Sequence, residues 1–98
     1  MDMAIRSFSD PVTEEFFRTG KVKKKAGWLG IASIARRKLD ILHYATELLD
    51  MRSPPGNRLE ALKGDRKGFH SIRINEQWRL VFRWTSAGVE EARIEDYH

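Results

Sequence analysis

Polar and apolar positions divide the chain into a helical half followed by a strand half. Met3 to Phe8 alternates weakly and predicts a short strand. Asp10-Pro11 predicts a helix start, with Asp as N-cap, Pro at the first helical position and Glu14 and Glu15 in the first turns. Val12, Glu15, Phe16 and Thr19 fall on one side of it, and Gly20 is a good stop. Lys21 to Gly30 reads as a basic loop. From Ile31 to Met51, residues Ile31, Ile34, Ala35, Lys38, Leu42, Ala45, Leu48 and Leu49 follow helical spacing. That predicts one long helix, roughly 30 Å at the usual rise per residue, with His43 and Tyr44 on its flank in structural roles. Arg52-Ser53-Pro54-Pro55-Gly56-Asn57 cannot continue it.

Everything further along reads as strand and turn: Arg58 to Leu62, Phe69 to Asn75, Trp78 to Thr85 and Val89 to Glu95. Two N-terminal helices followed by an antiparallel meander predict an α+β fold in a single domain spanning residues 1–98. Strand alternation separates two faces. His70, Ile72, Ile74, Trp78, Leu80, Phe82, Trp84, Ala92 and Ile94 form an apolar face for the long helix to cover, and His70 is read as structural. Ser71, Arg73, Arg79, Val81, Arg83, Glu91, Arg93 and Tyr97 point the other way. The same count puts Asp96 and His98 on the core side, so they must turn to join the arginines.

Composition narrows the chemistry. The chain carries no cysteine, which excludes disulfides, thiolate metal sites and Cys nucleophiles. His43, His70 and His98 lack helical metal-binding spacing, so no metal is expected, and no motif calls for a cofactor. Lys63 to Gly68 is a tight basic turn without the terminal Lys-Ser/Thr of a P-loop, which excludes a nucleotide triphosphatase built on that motif. No apolar run reaches the roughly 20 residues of a membrane span, and the first residues lack a signal-type apolar stretch, so a soluble cytoplasmic protein is expected. Net charge is +4, unevenly spread. Arg18, Lys21, Lys23, Lys24 and Lys25 run without an acid, and Arg58 to Arg83 holds seven basic residues against three acidic ones. Clustered cations suit a polyanionic partner, although a merely solvated or salt-bridged face gives the same pattern.

The residues also resemble a known family. Ile5-Arg6-Ser7-Phe8, Arg52-Ser53-Pro54-Pro55-Gly56-Asn57-Arg58-Leu59, Leu62-Lys63-Gly64-Asp65-Arg66, Ser71-Ile72-Arg73-Ile74-Asn75, Gln77-Trp78-Arg79 and Asp96-Tyr97-His98 follow one another as in the HigB-type toxins of bacterial toxin–antitoxin modules, within the RelE superfamily. The resemblance spans nearly the whole chain. It implies a small microbial-ribonuclease-like fold and a toxin that cleaves mRNA in the A site of the 70S ribosome, arresting translation and growth. It implies a HigA-like helix-turn-helix antitoxin, with operator DNA bound only by the toxin–antitoxin complex. Carried over by motif, the candidate catalytic residues are Lys63, Arg79, Asp96, Tyr97 and His98. Arg66, Arg73 and Arg83 are candidate RNA contacts. Some relatives have His-Pro before Leu-Lys-Gly-Asp, where this chain has Glu60-Ala61. The histidine's role does not transfer to Glu60.

RNA supplies its own nucleophile, the 2′-hydroxyl. The protein then needs a base, an acid and cationic charge on the phosphate, without a metal. On this expectation Lys63 and Arg79 neutralise the developing phosphorane. His98 moves a proton with Asp96 orienting it, Tyr97 stacks on or hydrogen-bonds the nucleotide, and the product is a 2′,3′-cyclic phosphate. Two other readings use the same residues. One is a non-catalytic RNA- or ribosome-binding growth inhibitor; the other is a DNA-binding ribbon or structural protein.

Overall fold

The computed structural model describes residues 4–97. Helix α1 spans Pro11–Thr19, α2 Ala32–Tyr44, and strands β1 Glu60–Ala61, β2 Phe69–Arg73, β3 Trp78–Thr85 and β4 Gly88–Asp96 form one antiparallel sheet in the order β1-β2-β3-β4. The α+β reading holds, with both helices preceding the sheet.

Helix α1 starts as its sequence dictates. The Asp10 carboxylate accepts from the Val12 amide at 3.1 Å and from the Thr13 hydroxyl at 2.7 Å. The Thr13 hydroxyl oxygen in turn accepts the Ile94 amide of β4 at 3.1 Å, so one buried threonine ties the helix cap to the sheet. Gly20 ends the helix in the left-handed region, φ 80°, where a side chain would be strained.

The long helix expected over 31–51 is shorter. Helix α2 stops at Tyr44, Ala45 is extended, and a 3-10 turn occupies Leu48–Arg52. The cause is local competition for the backbone. The Asp50 carboxylate accepts from the amides of Thr46 and Glu47 and from the Thr46 hydroxyl at 2.9–3.1 Å. This break turns Met51 fully inward and leaves Leu49 63% exposed, so Leu49 is not the core residue that helical spacing implied.

The inner face of the sheet is apolar as alternation predicts. Ile72, Ile74, Leu80, Phe82, Ala92 and Ile94 pack in one cluster with Ala35, Leu39 and Leu42 of α2, and with Phe16, Trp28 and Met51. Val89 joins them because of a bulge. Val81 pairs with Arg93 and Arg83 with Glu90, so β4 has one extra residue between the pairs, and Glu91 there adopts φ 54°. Val89 and Ala92 therefore both face inward. The bulge also limits the N-terminal segment. Met3 to Phe8 was expected as a strand; its described part makes only isolated parallel bridges, Ile5 to Val89 and Phe8 to Ala92, on either side of the bulge.

The segment after α2 is anchored by Asn57, which is fully buried. Its amide group donates to the carbonyls of Met51 (3.1 Å) and Ser53 (3.2 Å), and its oxygen accepts from Lys38. Lys38 occupies a position in the apolar stripe, and partial burial, with Arg37 nearby, lowers its pKa.

Candidate functional site

The outer face of the sheet carries the arginines that alternation assigns to it, and it is partly covered. Ser71 and Val81 are fully buried there and Arg79 is only 7% exposed. The segment from Asn57 to Arg66, which contains the edge strand β1, is tied to residues of this face by side-chain contacts. The Arg79 guanidinium donates through Nη2 to the Arg58 carbonyl at 2.8 Å, and Arg66 makes a bidentate pair with Glu95 at 2.7 and 2.8 Å. Cross-strand pairing puts Arg79 between Arg73 and Glu95, and Glu60 opposite Ser71.

Arg79 is the centre of the arrangement. Its Nε donates to the Ser71 hydroxyl at 2.9 Å, and Nη2 also reaches the Ser71 carbonyl at 3.4 Å. The Tyr97 ring lies over the guanidinium, 4.7 Å from its centroid to Cζ, a cation–π contact. The Tyr97 hydroxyl donates to Glu60 Oε1 at 2.8 Å, and the same oxygen stands 3.9 Å from Arg79 Nη2. The Tyr97 phenol is accordingly raised above its ordinary pKa. Its hydrogen bond to Glu60 is the main cause, followed by burial and the Glu60 charge; Arg79 and Arg66 oppose the rise. At neutral pH the phenol keeps its proton. Arg66 is held protonated chiefly by its hydrogen bonds to Glu95.

Beside this group lies a cleft of about 440 Å³ lined by Arg58, Arg73, Asn75, Glu76, Arg79 and Tyr97. Among the described residues, neither Arg58 nor Arg73 has a carboxylate partner for its side chain. Arg79 is thus committed to its neighbours, whereas the two cations at the cleft wall remain available to an anion.

The expected site residues are distributed unevenly. Arg79, Tyr97 and Arg73 come together. Arg66 pairs with Glu95, and Arg93 stands 3.6 Å from the same carboxylate. Arg83 is paired with Glu91 at 2.9 Å and packs over Phe69, away from the cleft. Lys63 is exposed on the turn before Gly64–Arg66, and its side chain contacts neither Arg79 nor Tyr97. Asp96 does not turn into the cleft of Arg73, Arg79 and Tyr97. Pairing with β3 continues through Trp78 opposite Asp96 and through the Tyr97 amide to the Gln77 carbonyl at 2.7 Å, which keeps strand alternation intact. Asp96 accepts from Gln77 Nε2 at 2.9 Å and lines a different cleft, of about 480 Å³, with Asp10, Trp28, Trp78 and Arg93. His98 lies outside the described residues.

Glu60 and Arg58 were missed as site members. Glu60 was visible as the departure from His-Pro, and its register opposite Ser71 was the available signal. Nothing in the residue pattern marked Arg58. The two other histidines are structural, as expected. His43 Nδ1 accepts the Ile5 amide at 3.2 Å. His70 stacks on Phe82, its Nδ1 is buried with no partner among the described residues, and burial lowers its pKa. Among the described residues no group of three or more His, Cys, Asp or Glu side chains could hold a metal ion, and no helix is long and apolar enough to cross a membrane.

Comparison with known proteins places the chain in a family. The chain is 43% identical over 77 residues to Toxin HigB-1 of Vibrio cholerae, covering 79% of this chain and 80% of that protein. It is 33% identical over 61 residues to Endoribonuclease HigB of Proteus vulgaris, covering 62% of this chain and 65% of that one. The YoeB dimer structure from Staphylococcus aureus matches with a TM-score of 0.56 at 20% identity, over 100% of this chain and 99% of that chain; that likeness concerns fold alone. The family model of the HigB-like toxins, RelE-like toxins of type II toxin–antitoxin systems, matches residues 6–98, and the chain belongs to that family.

Proposed function

We propose that this toxin is an endoribonuclease that cleaves mRNA in the ribosomal A site and so arrests translation and growth. The observation that carries the proposal is the Tyr97 phenol held over Arg79 and hydrogen-bonded to Glu60 at the wall of a cationic cleft. A proton donor, a proton acceptor and fixed positive charge are the groups that 2′-hydroxyl attack on a phosphodiester needs. In the proposed reaction the 2′-oxygen loses its proton to the protein and bonds to phosphorus. The bond from phosphorus to the 5′-oxygen breaks, and that oxygen takes a proton from the protein. The products are a 2′,3′-cyclic phosphate and a 5′-hydroxyl, with no metal in any step.

Tyr97 and Glu60 supply one donor and one acceptor, and His98 is the remaining candidate acid or base. Arg79 contributes charge from beneath and fixes its surroundings, while Arg73 and Lys63 neutralise phosphate from the solvent side. Asp96 acts through Gln77 and the end of β4. Arg66 holds the covering segment on the sheet, which makes its contribution to RNA binding indirect; Arg83 is placed to meet RNA only beyond the cleft. The partner is a HigA-like helix-turn-helix antitoxin, operator DNA is bound only by the two together, and the site of action is the cytoplasm.

The test is induction without antitoxin, with mapping of new RNA 5′ ends on translating ribosomes. Codon-phased cuts that vanish in Tyr97→Phe, with ribosome binding retained, are the expected result. Growth arrest unchanged in Tyr97→Phe would overturn the catalytic role. Arrest without cleavage would favour the non-catalytic, ribosome-binding reading, which the same cationic cleft supports.

A further inference from the structure

Arg58 and Glu91 are the non-glycine residues with positive φ among the described residues, and Arg58 lies at the cleft. Arg58 adopts φ 48° and ψ 57°, left-handed values that a non-glycine side chain occupies at a cost. Two interactions impose that conformation. The preceding Asn57 is buried and bonded on both ends of its amide, and the Arg58 carbonyl is taken by the buried Arg79 guanidinium. A strained conformation that is over-determined by its surroundings points to a use for the side chain it aims. That side chain is exposed and forms the common wall of two clefts. One holds Arg73 and Tyr97; the other, of about 410 Å³, is lined by Arg52, Pro55, Arg58 and Leu59. Arg52, Arg58 and Arg73 all lack a carboxylate partner among the described residues.

We propose that Arg73, Arg58 and Arg52 form a track for the backbone of single-stranded RNA, running from the cleft at Tyr97 across Arg58 into the neighbouring cleft. Arg58 and Arg52 then bind phosphates flanking the one at Tyr97, and Arg79 is a positioning residue for Arg58. The inference rests on the RNA-cleaving reading of the Tyr97 cleft and extends it to a second cleft. Consecutive guanidinium groups along a groove suit a phosphodiester chain, because each can engage one phosphate bidentately while the bases remain unread.

The test is the salt dependence of binding of the full chain to an oligoribonucleotide of about six residues, made uncleavable by 2′-deoxy substitution. NMR shifts of cleft residues report where it binds. Each phosphate contact to a single strand contributes about 0.7 to the slope of log affinity against log salt. Arg58→Asn and Arg52→Gln are each expected to lower that slope by about 0.7 and affinity several-fold, whereas Arg37→Gln on α2 changes neither. Asn is chosen because it tolerates the left-handed conformation. Arg58→Asn should therefore melt no lower than the wild type, which separates lost binding from lost folding. A dinucleotide should bind the wild type and Arg52→Gln alike.

If both arginine variants keep the wild-type slope while Arg73→Gln lowers it, the track is overturned and the cleft stands. Loss of antitoxin affinity in these variants with RNA binding intact would also overturn it, in favour of an acidic peptide as occupant. If the wild type shows no shift at any cleft residue, the underlying RNA reading fails instead.

Discussion

Replacing Arg79 by lysine keeps the charge and removes the geometry, so it separates a residue that organises the site from one that acts on substrate. The guanidinium makes hydrogen bonds to the Ser71 hydroxyl, the Arg58 carbonyl and the Ser71 carbonyl while 7% exposed. A lysine ammonium is a compact charge on a flexible stem and cannot reproduce that planar fork. It can recover one acceptor and leave another buried without a donor, a cost of about 1–3 kcal/mol. Weaker stacking under Tyr97 adds about 0.5–1 kcal/mol. The expected loss for Arg79→Lys is about 2–3 kcal/mol, or roughly 10–20 °C in melting temperature for a domain of this size. Urea unfolding followed by tryptophan fluorescence measures it, with exposed Arg37→Lys as a control expected within about 0.5 kcal/mol. Growth arrest should fall with stability and recover partly at lower temperature. A variant as stable as the wild type yet devoid of toxicity would refute the positioning role and place Arg79 on the substrate.

Other perturbations probe the frame around the site. Thr13→Val should cost about 2 kcal/mol, because it leaves the buried Ile94 amide without an acceptor and removes a donor from Asp10; Thr13→Ser should restore most of it in the same urea titration. Gly88→Ala should destabilise by about 2–4 kcal/mol, since Gly88 sits at φ 138° and a Cβ would lie 2.7 Å from Arg6 Cδ and 2.9 Å from the Ala4 carbonyl oxygen; proteolysis should then cut the N-terminal segment faster. His70 is a base whose folded-state pKa is depressed below its ordinary 6.5 by burial, so the unfolded chain binds its proton first. Stability should therefore fall as pH drops through about 6.5 toward the folded pKa. His70→Gln should flatten that limb in urea midpoints measured at pH 7.5 and 5.5.

Much of the fold was legible because local signals and global packing agree. Asp10-Pro11 and Gly20 bracket α1, and alternation along Trp78 to Thr85 assigned β3 without error. Two misreadings arise where the backbone departs from a periodic pattern. Asp50 ends α2 by taking the Thr46 and Glu47 amides, and a bulge at Glu91 restricts the N-terminal segment to isolated bridges. The first is local side-chain chemistry and the second a strand register, and hydrophobic period encodes neither. The site was half legible for a similar reason. Face assignment brought Arg73, Arg79 and Tyr97 to one face, yet it carried no information on the burial of that face. The covering segment from Asn57 to Arg66 makes Arg79 a buried support and brings Arg58 and Glu60 to its side.

The end of β4 shows how far alternation governs the chemistry. Tyr97 and Asp96 are adjacent in sequence and belong to different clefts, because β4 stays paired through Asp96 and the Tyr97 amide. Asp96 thus lies in the cleft that Arg93 also lines rather than in the one at Tyr97, and the carboxylate beside the phenol comes from β1 instead. Glu60 stands where some relatives carry histidine. A carboxylate there accepts the Tyr97 hydrogen bond and raises the phenol's pKa, chiefly through that bond and further through a negative charge that a neutral imidazole would not bring. Tyr97 in this chain is consequently a better-anchored donor and a poorer source of phenolate than it would be opposite a histidine. Substituting Glu60→Ala, which removes both the hydrogen bond and the charge, should therefore lower the phenol's pKa toward its ordinary value of 10.0, readable as a shift of its ultraviolet titration to lower pH. A titration that stays in place would show that the Glu60 hydrogen bond does not set the proton affinity of Tyr97.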